Sequence, residues 1–250
     1  MESMKILGIR VDKVTSGEAF DMCIDAVDKN KRFIVVTPNS EIIVRAGKNE
    51  ILKNIIEKAD LVVPDGAGAV LASKIMRNPL KERVTGIDLM IKLLKYANAD
   101  KKSVYILGAK PEIVKKSAEK IKENYPNLNL TGYHHGYFKG MHNGNPSNSE
   151  EMEIVKEISQ KKPDFLFVAM GSPFQEYFID KYKDTLNSKV MMGVGGSLDV
   201  ISGEVKRAPE FYQKAGLEWL YRVIKEPVRI KRMGSLVVFV FKVIFLRNNG

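Results

Sequence analysis

Residues 164–170 read DFLFVAM and run directly into Gly171-Ser172-Pro173. A strand with one face in water alternates apolar and polar side chains. This one is apolar on both faces, as a strand buried between two layers must be. Five more stretches share that character, at 5–11 (KILGIRV), 32–37 (RFIVVT), 61–63 (LVV), 103–108 (SVYILG) and 190–194 (VMMGV). Helical spacing fills the intervals: Thr15-Ser16-Gly17-Glu18 is a capping-box sequence ahead of Phe20, Ile24 and Val27, and Ile51, Ile55 and Ile56, then Val114, Ala118 and Ile121, repeat at helical intervals. Strands alternating with helices predict an α/β fold with a mainly parallel, Rossmann-like sheet flanked by helices. Ligands of such folds bind at the carboxyl ends of the strands.

Those ends are polar throughout. Strand 32–37 leads into Thr37-Pro38-Asn39-Ser40, strand 61–63 into Asp65-Gly66-Ala67-Gly68, and strand 103–108 into Gly108-Ala109-Lys110-Pro111. Strand 164–170 leads into Gly171-Ser172-Pro173 with Gln175 and Glu176, and strand 190–194 into Gly195-Gly196-Ser197 with Asp199. Turn chemistry explains each one singly, but their convergence on one sheet edge suits a sugar nucleotide, which needs many polar partners along one crevice. Asp65 stands where such a fold places its chemistry. Aspartate is also a preferred N-cap for a helix over about 67–76, and the sequence leaves cap and catalyst both open. A dinucleotide fingerprint fails here, because the third glycine of G-x-G-x-x-G falls on Leu71.

No Asp-x-Asp pair is present to hold a divalent ion on a diphosphate, so the expectation is no metal and no cofactor. His134 and His135 are adjacent, which on a strand would turn them to opposite faces. Arg83 is the organic alternative to a metal, since a guanidinium takes two phosphate oxygens in parallel; among Lys81 and Glu82 it also reads as an ordinary solvated arginine. Residues 139–149, KGMHNGNPSNS, read as an exposed loop.

The chain has 250 residues, 44% of them hydrophobic, enough for a full core, and its single cysteine, Cys23, lies among apolar helix positions with no disulfide partner. The start of the sequence lacks the apolar core of a secretory signal, which predicts a cytoplasmic protein. The net charge is +10, and from Glu204 onward ten bases face four acids, placing six of those charges in under a fifth of the chain. There the pattern changes: GLEWLYRVIKEPVRIKR reads as an amphipathic helix interrupted at Pro227, and LVVFVFKVIFL follows. The latter is far short of the roughly 20 residues that span a bilayer, so it can lie on a membrane but not cross it. The predicted organisation is an α/β catalytic domain over 1–195 and a basic, membrane-associating helical appendage over 196–250.

The segments TPNSEI, ADLVVPDGAG, ERVTGIDL, GYHHGYF, MGSPFQE, GVGGSLDVISGEVKRAP and GLEWLYRVIKEPVRIKR, in this order over nearly the whole chain, resemble the WecG/TagA/CpsF glycosyltransferases, glycosyltransferase family 26. The resemblance implies transfer of an N-acetylmannosamine-type sugar from a UDP donor to undecaprenyl-diphosphate-linked GlcNAc, with inversion, as in assembly of the teichoic acid linkage unit. It implies Asp65 as general base and Arg83, Thr37, Asn39 and Gln175 in the substrate pocket. Gly195, Gly196 and Asp199 are placed at the nucleotide by their strand-end position. Arg222, Arg229 and Arg232 would supply further positive charge to the leaving diphosphate if the appendage folds over the site. The expected partners are the UDP-sugar, the lipid-linked acceptor and an anionic membrane surface at the inner face of the cell membrane, and not nucleic acid. Two rival readings are an NAD(P)-dependent oxidoreductase and a non-catalytic membrane-binding module.

Overall fold

In the structure, a computed structural model, residues 1–214, 217–225 and 238–245 are described, apart from the side chains of Lys214, Trp219, Arg222 and Lys225. Six parallel strands form the central sheet in the order β4-β3-β8-β7-β5-β6: β3 Phe33–Val36, β4 Leu61–Val62, β5 Ser103–Gly108, β6 Asn129–His134, β7 Phe165–Ala169 and β8 Val190–Gly193. The chain starts beside β4, builds outward on the other side through β5 and β6, and returns through β7 and β8 to the middle. The strands most apolar in sequence are therefore the most central.

Alternate side chains of these strands serve two layers. Val35, Ile106, Phe165, Phe167 and Met192 meet helices α1 (Ser16–Asp28), α5 (Gly86–Ala99) and α6 (Pro111–Asn124) on one face. Val36 on the other face meets α2 (Ser40–Ala46), α3 (Glu50–Lys58) and α4 (Ala67–Ile75), while Leu107, Leu166, Val168 and Met191 meet α7 (Ser149–Lys161) and α8 (Phe174–Tyr182). The capping box at Thr15 forms as its sequence predicts, with both reciprocal bonds present. Cys23 is fully buried in α1, and burial pushes its thiol up to about 12, which makes it a packing residue.

The run at 5–11 is not a strand of the parallel sheet. It folds as an antiparallel hairpin, β1 (Ser3–Ile6) and β2 (Ile9–Asp12), in which Ile6 pairs with Ile9 and Leu7 and Gly8 both take positive φ. Positive φ at both central residues is the geometry of a tight two-residue turn that matches strand twist. Arg10 and Asp12 of this hairpin form a bidentate pair at 2.8 and 2.9 Å, and Asp12 also accepts from Val62 N–H of β4 at 2.8 Å. Strand β6 had no apolar run to announce it, because it is a half-exposed edge strand.

The loop at 139–149 is not simply exposed. It contains a short 3-10 helix, Met141–Asn143, whose His142 is buried against the fully buried Glu151, and Glu151 also accepts from Met141 N–H at 3.0 Å. After β8 the chain forms α9 (Ser197–Ile201), which packs on α6 through Leu198 and a bond from Ser117 Oγ to Leu198 O at 2.8 Å. Helices α10 (Glu210–Lys214), α11 (Glu218–Lys225) and α12 (238–245) follow.

Candidate active site

The carboxyl ends of β4, β3 and β8 are neighbours in the sheet, and they bring most of the expected residues together. Asp65 is half-buried two residues beyond Val63, on a turn whose backbone is tied down by Asp65 N–H to Val63 O at 2.9 Å. The N-cap of α4 is Gly66, at φ +87° and with no side-chain cap bond. Of the two roles the sequence leaves open for Asp65, the cap position goes to Gly66, because the chain enters α4 through a conformation glycine tolerates and the carboxylate stands one residue earlier. Gly66 abuts Asn39, whose Cβ is 3.6 Å from where a β-carbon on Gly66 would lie. Asn39 caps α2 through Ile42 N–H at 3.0 Å and is itself exposed.

Thr37, buried at the end of β3, donates to Gly193 O of β8 at 3.2 Å. Its Oγ1 also lies 3.1 Å from where a β-carbon on Gly86 would stand, at the start of α5. The segment leading into α5 is joined to the Asp65 turn by Val84 N–H to Pro64 O at 3.3 Å, so Arg83 enters the same neighbourhood. Arg83 is not a solvated arginine. It donates to Gln213 O at 3.1 Å and pairs with the Glu218 carboxylate on α11. Arg207 pairs with Asp88 on α5 at 2.5 Å and approaches Glu218 to 3.9 Å. Two arginines and two carboxylates thus fasten the post-sheet segment beside the Asp65 turn.

Glu218 and Arg207 carry these contacts and were not singled out by the sequence; their signal was the charge clustering of EVKRAP and GLEWLYR. A guanidinium has five N–H donors, so Arg83 can hold Glu218 and Gln213 O and still offer a bond to an anion. Arg222 lies one helical turn beyond Glu218 on α11, with its side chain outside the described residues, and Arg229 and Arg232 fall outside them altogether. Gln175, at the start of α8, is only 3% exposed and accepts from Gly195 N–H at 3.0 Å. Gly196 is exposed beyond it, while Asp199 stands half-buried in the first turn of α9, its carbonyl bonded to Val205 N–H at 2.9 Å.

His134 and His135 do not point apart. Strand β6 ends at His134, the next residue leaves the pleat, and the two rings lie 4.4 Å apart. With Glu150 they form the group of described residues able to hold a cation, their ligand atoms all within 4.8 Å of one another. Burial and the neighbouring ring lower the affinity of His135 for a proton. This group sits on the opposite edge of the sheet from β4, five strand spacings or roughly 24 Å away.

A three-layer α/β protein with an acid, an arginine and polar turns at the carboxyl ends of adjacent parallel strands has the makings of an enzyme that works on a polar ligand in that crevice. The profile of the Glycosyl transferase WecG/TagA/CpsF family matches residues 4–249. The chain belongs to that family and is a glycosyltransferase, which sets aside the oxidoreductase and the non-catalytic module. It is 38% identical to the N-acetylglucosaminyldiphosphoundecaprenol N-acetyl-beta-D-mannosaminyltransferase of Bacillus spizizenii, over 87% of this chain and 81% of the relative. It is 36% identical to the protein of the same name in Staphylococcus aureus strain MW2, over 95% of this chain and 91% of the relative.

Proposed function

We propose that the chain transfers N-acetylmannosamine from UDP-N-acetylmannosamine to the 4-hydroxyl of undecaprenyl-diphosphate-linked GlcNAc, in a single inverting displacement that builds the teichoic acid linkage unit. The observation that carries this reading, beside the names of the relatives, is the Asp65 turn lying against Asn39 and the Arg83 segment. Asp65 takes the proton of the attacking hydroxyl, which requires its carboxylate within about 3 Å of that oxygen in the complex. Arg83, with Arg222, Arg229 and Arg232 of the appendage, neutralises the charge that builds on the departing UDP. Thr37 and Gln175 hold the strand ends that line the pocket, and Asn39, Gly195, Gly196 and Asp199 border the sugar nucleotide.

Docking of Glu218 on Arg83 supports the idea that the appendage completes the site. The acceptor's diphosphate lies just outside a lipid surface, and α12 is suited to meet it: Phe239 and Val243 are 1% exposed in the core around α2–α4, while Val238, Phe241, Ile244 and Phe245 face outward. Among the described residues no helix is long and apolar enough to cross a membrane. In this reading the chain works from the membrane face as a peripheral protein, held by apolar insertion and by basic residues near anionic lipid, each worth roughly 1 kcal/mol.

The test is to incubate the purified chain with UDP-N-acetylmannosamine and a lipid-diphosphate GlcNAc, following both UDP release and the disaccharide lipid. Acceptor-dependent formation of both products is expected. UDP release at the same rate without acceptor, or no product from this pair, would overturn the reading.

A further inference from the structure

Glu176 is 2% exposed at the start of α8, next to Gln175, and nothing so far assigns it a task. Its Oε1 accepts from Gln175 Nε2 at 2.9 Å, and its Oε2 is buried with no hydrogen-bond partner. Arg45, a nearby cation, is engaged by Ser172 O and by Glu41 at 2.9 Å. Gln175 in turn presents its Oε1 to Gly195 N–H at 3.0 Å. It packs so closely on β8 that a β-carbon at Gly193 would sit 2.6 Å from Gln175 Nε2, and Gly193 O is the acceptor for Thr37 at 3.2 Å.

The two ends of an amide are almost the same size but opposite in hydrogen bonding. Gly195 N–H needs an acceptor, so the amide must show it oxygen and not nitrogen. Packing cannot enforce that choice. An oxygen facing the amide's other end can, because it accepts only from the NH2 group. A flipped Gln175 would set NH2 against N–H on one side and oxygen against oxygen on the other, both unpaired in a buried place.

We propose that Glu176 is a positioning residue: it fixes the orientation of the Gln175 amide, and through it the turn Gly193–Gly196 against Thr37 at the edge of the sugar-nucleotide pocket. This rests on the transferase reading for its catalytic consequence, though not for the hydrogen bonds themselves. Burial raises the affinity of the Glu176 carboxyl for its proton, against the opposing pull of Gln175, Ser172 and Arg45; a proton carried on the unpartnered Oε2 leaves Oε1 as the acceptor that the Gln175 NH2 needs.

Four variants of the full chain test this: Glu176→Leu, which keeps the volume without an acceptor, Glu176→Gln, which keeps an uncharged acceptor, Gln175→Leu, and the double variant of the two leucine substitutions. Two readouts are used, transfer kinetics and hydrogen exchange at the Gly195 amide. Glu176→Leu is expected to lower kcat about tenfold or more while the protein stays folded, and to release the Gly195 amide to exchange while the amides of β8 stay protected. Glu176→Gln should restore both to within about twofold of the parent. Because Glu176 acts through Gln175, the double variant Glu176→Leu with Gln175→Leu should be no slower than Gln175→Leu alone. Undiminished turnover and Gly195 protection in Glu176→Leu, multiplied defects in the double variant, or a Glu176→Gln as impaired as Glu176→Leu would each overturn the proposal. Should leucine prevent folding, Glu176→Met takes its place, and loss of Gly195 protection in Glu176→Gln decides alone. If the unmodified chain transfers no sugar, the transferase reading fails on its own, and exchange at Gly195 still decides the role of Glu176.

Discussion

Asp65 gains its position from backbone geometry: Gly66 takes the N-cap with a positive φ, and the carboxylate is left at the head of the turn. Replacing it with Asn keeps size and one acceptor, so Asp65→Asn should retain the parent's melting temperature while turnover falls by the contribution of a general base, about a hundredfold or more. Parent-like turnover in that variant would reduce Asp65 to a structural residue. Arg83 poses a different problem, because it docks Glu218 and, in the proposed reaction, also meets the departing diphosphate. Exchanging the two charges, Arg83→Glu with Glu218→Arg, preserves the pair but moves the cation. Protease resistance of the segment after Ala208 should recover in the double variant relative to either single one, while transfer stays at least tenfold down. Full recovery of transfer would make Arg83 a docking residue only. The acid at 65 was legible in the sequence because it ends an apolar run beside glycines. The partner of Arg83 was not, because charge clustering around Glu218 marks a charged segment but does not say which residue 135 positions away it pairs with.

At the scale of elements, the central strands could be read because burial on both faces leaves no polar alternation, as in DFLFVAM and SVYILG. The hairpin at the start and the edge strand β6 could not: KILGIRV is as apolar as a central strand, and only Gly8 marked the reversal, whereas NLTGYH is too polar to stand out. The segment LVVFVFKVIFL reads as one apolar run broken only by Lys242, yet the helix over 238–245 divides it between core and surface. Phe239→Ala should therefore cost about 3 kcal/mol or more in unfolding free energy, as core truncations do. Phe241 and Phe245, 58% and 64% exposed, should cost little when replaced. Changing both to Asp should abolish co-sedimentation with anionic vesicles while the melting temperature holds. Retained vesicle binding by that double variant would exclude α12 as the anchor.

For the whole molecule, the sheet separates the group able to hold a cation from the candidate active site. The His134, His135 and Glu150 group lies at the β6 edge and the Asp65 turn at the β4 edge, so a cation at the former is too distant to take up charge on a leaving diphosphate at the latter. Transfer should survive EDTA, with arginines in the metal's role. Loss of turnover in chelator, regained with Mg²⁺ or Mn²⁺, would contradict this. Convergence of the polar strand ends was legible from the alternation of strands and helices, but their order was not: that β3, β4 and β8 are neighbours depends on a return of the chain that no local pattern encodes.

The bond from Val62 N–H to Asp12 has a bearing on how this protein behaves at high concentration. A terminal strand with unsatisfied backbone groups is a template on which another polypeptide can polymerise, and β4 would be such a template, short as it is. Asp12 occupies the Val62 amide with a carboxylate, and Arg10 clamps that carboxylate while capping the carbonyls of Glu57 and Ala59. A foreign strand arriving there meets a plugged donor and a hairpin in its way. The hairpin thus blocks the β4 edge of the central sheet, and β6 at the far flank is that sheet's other edge.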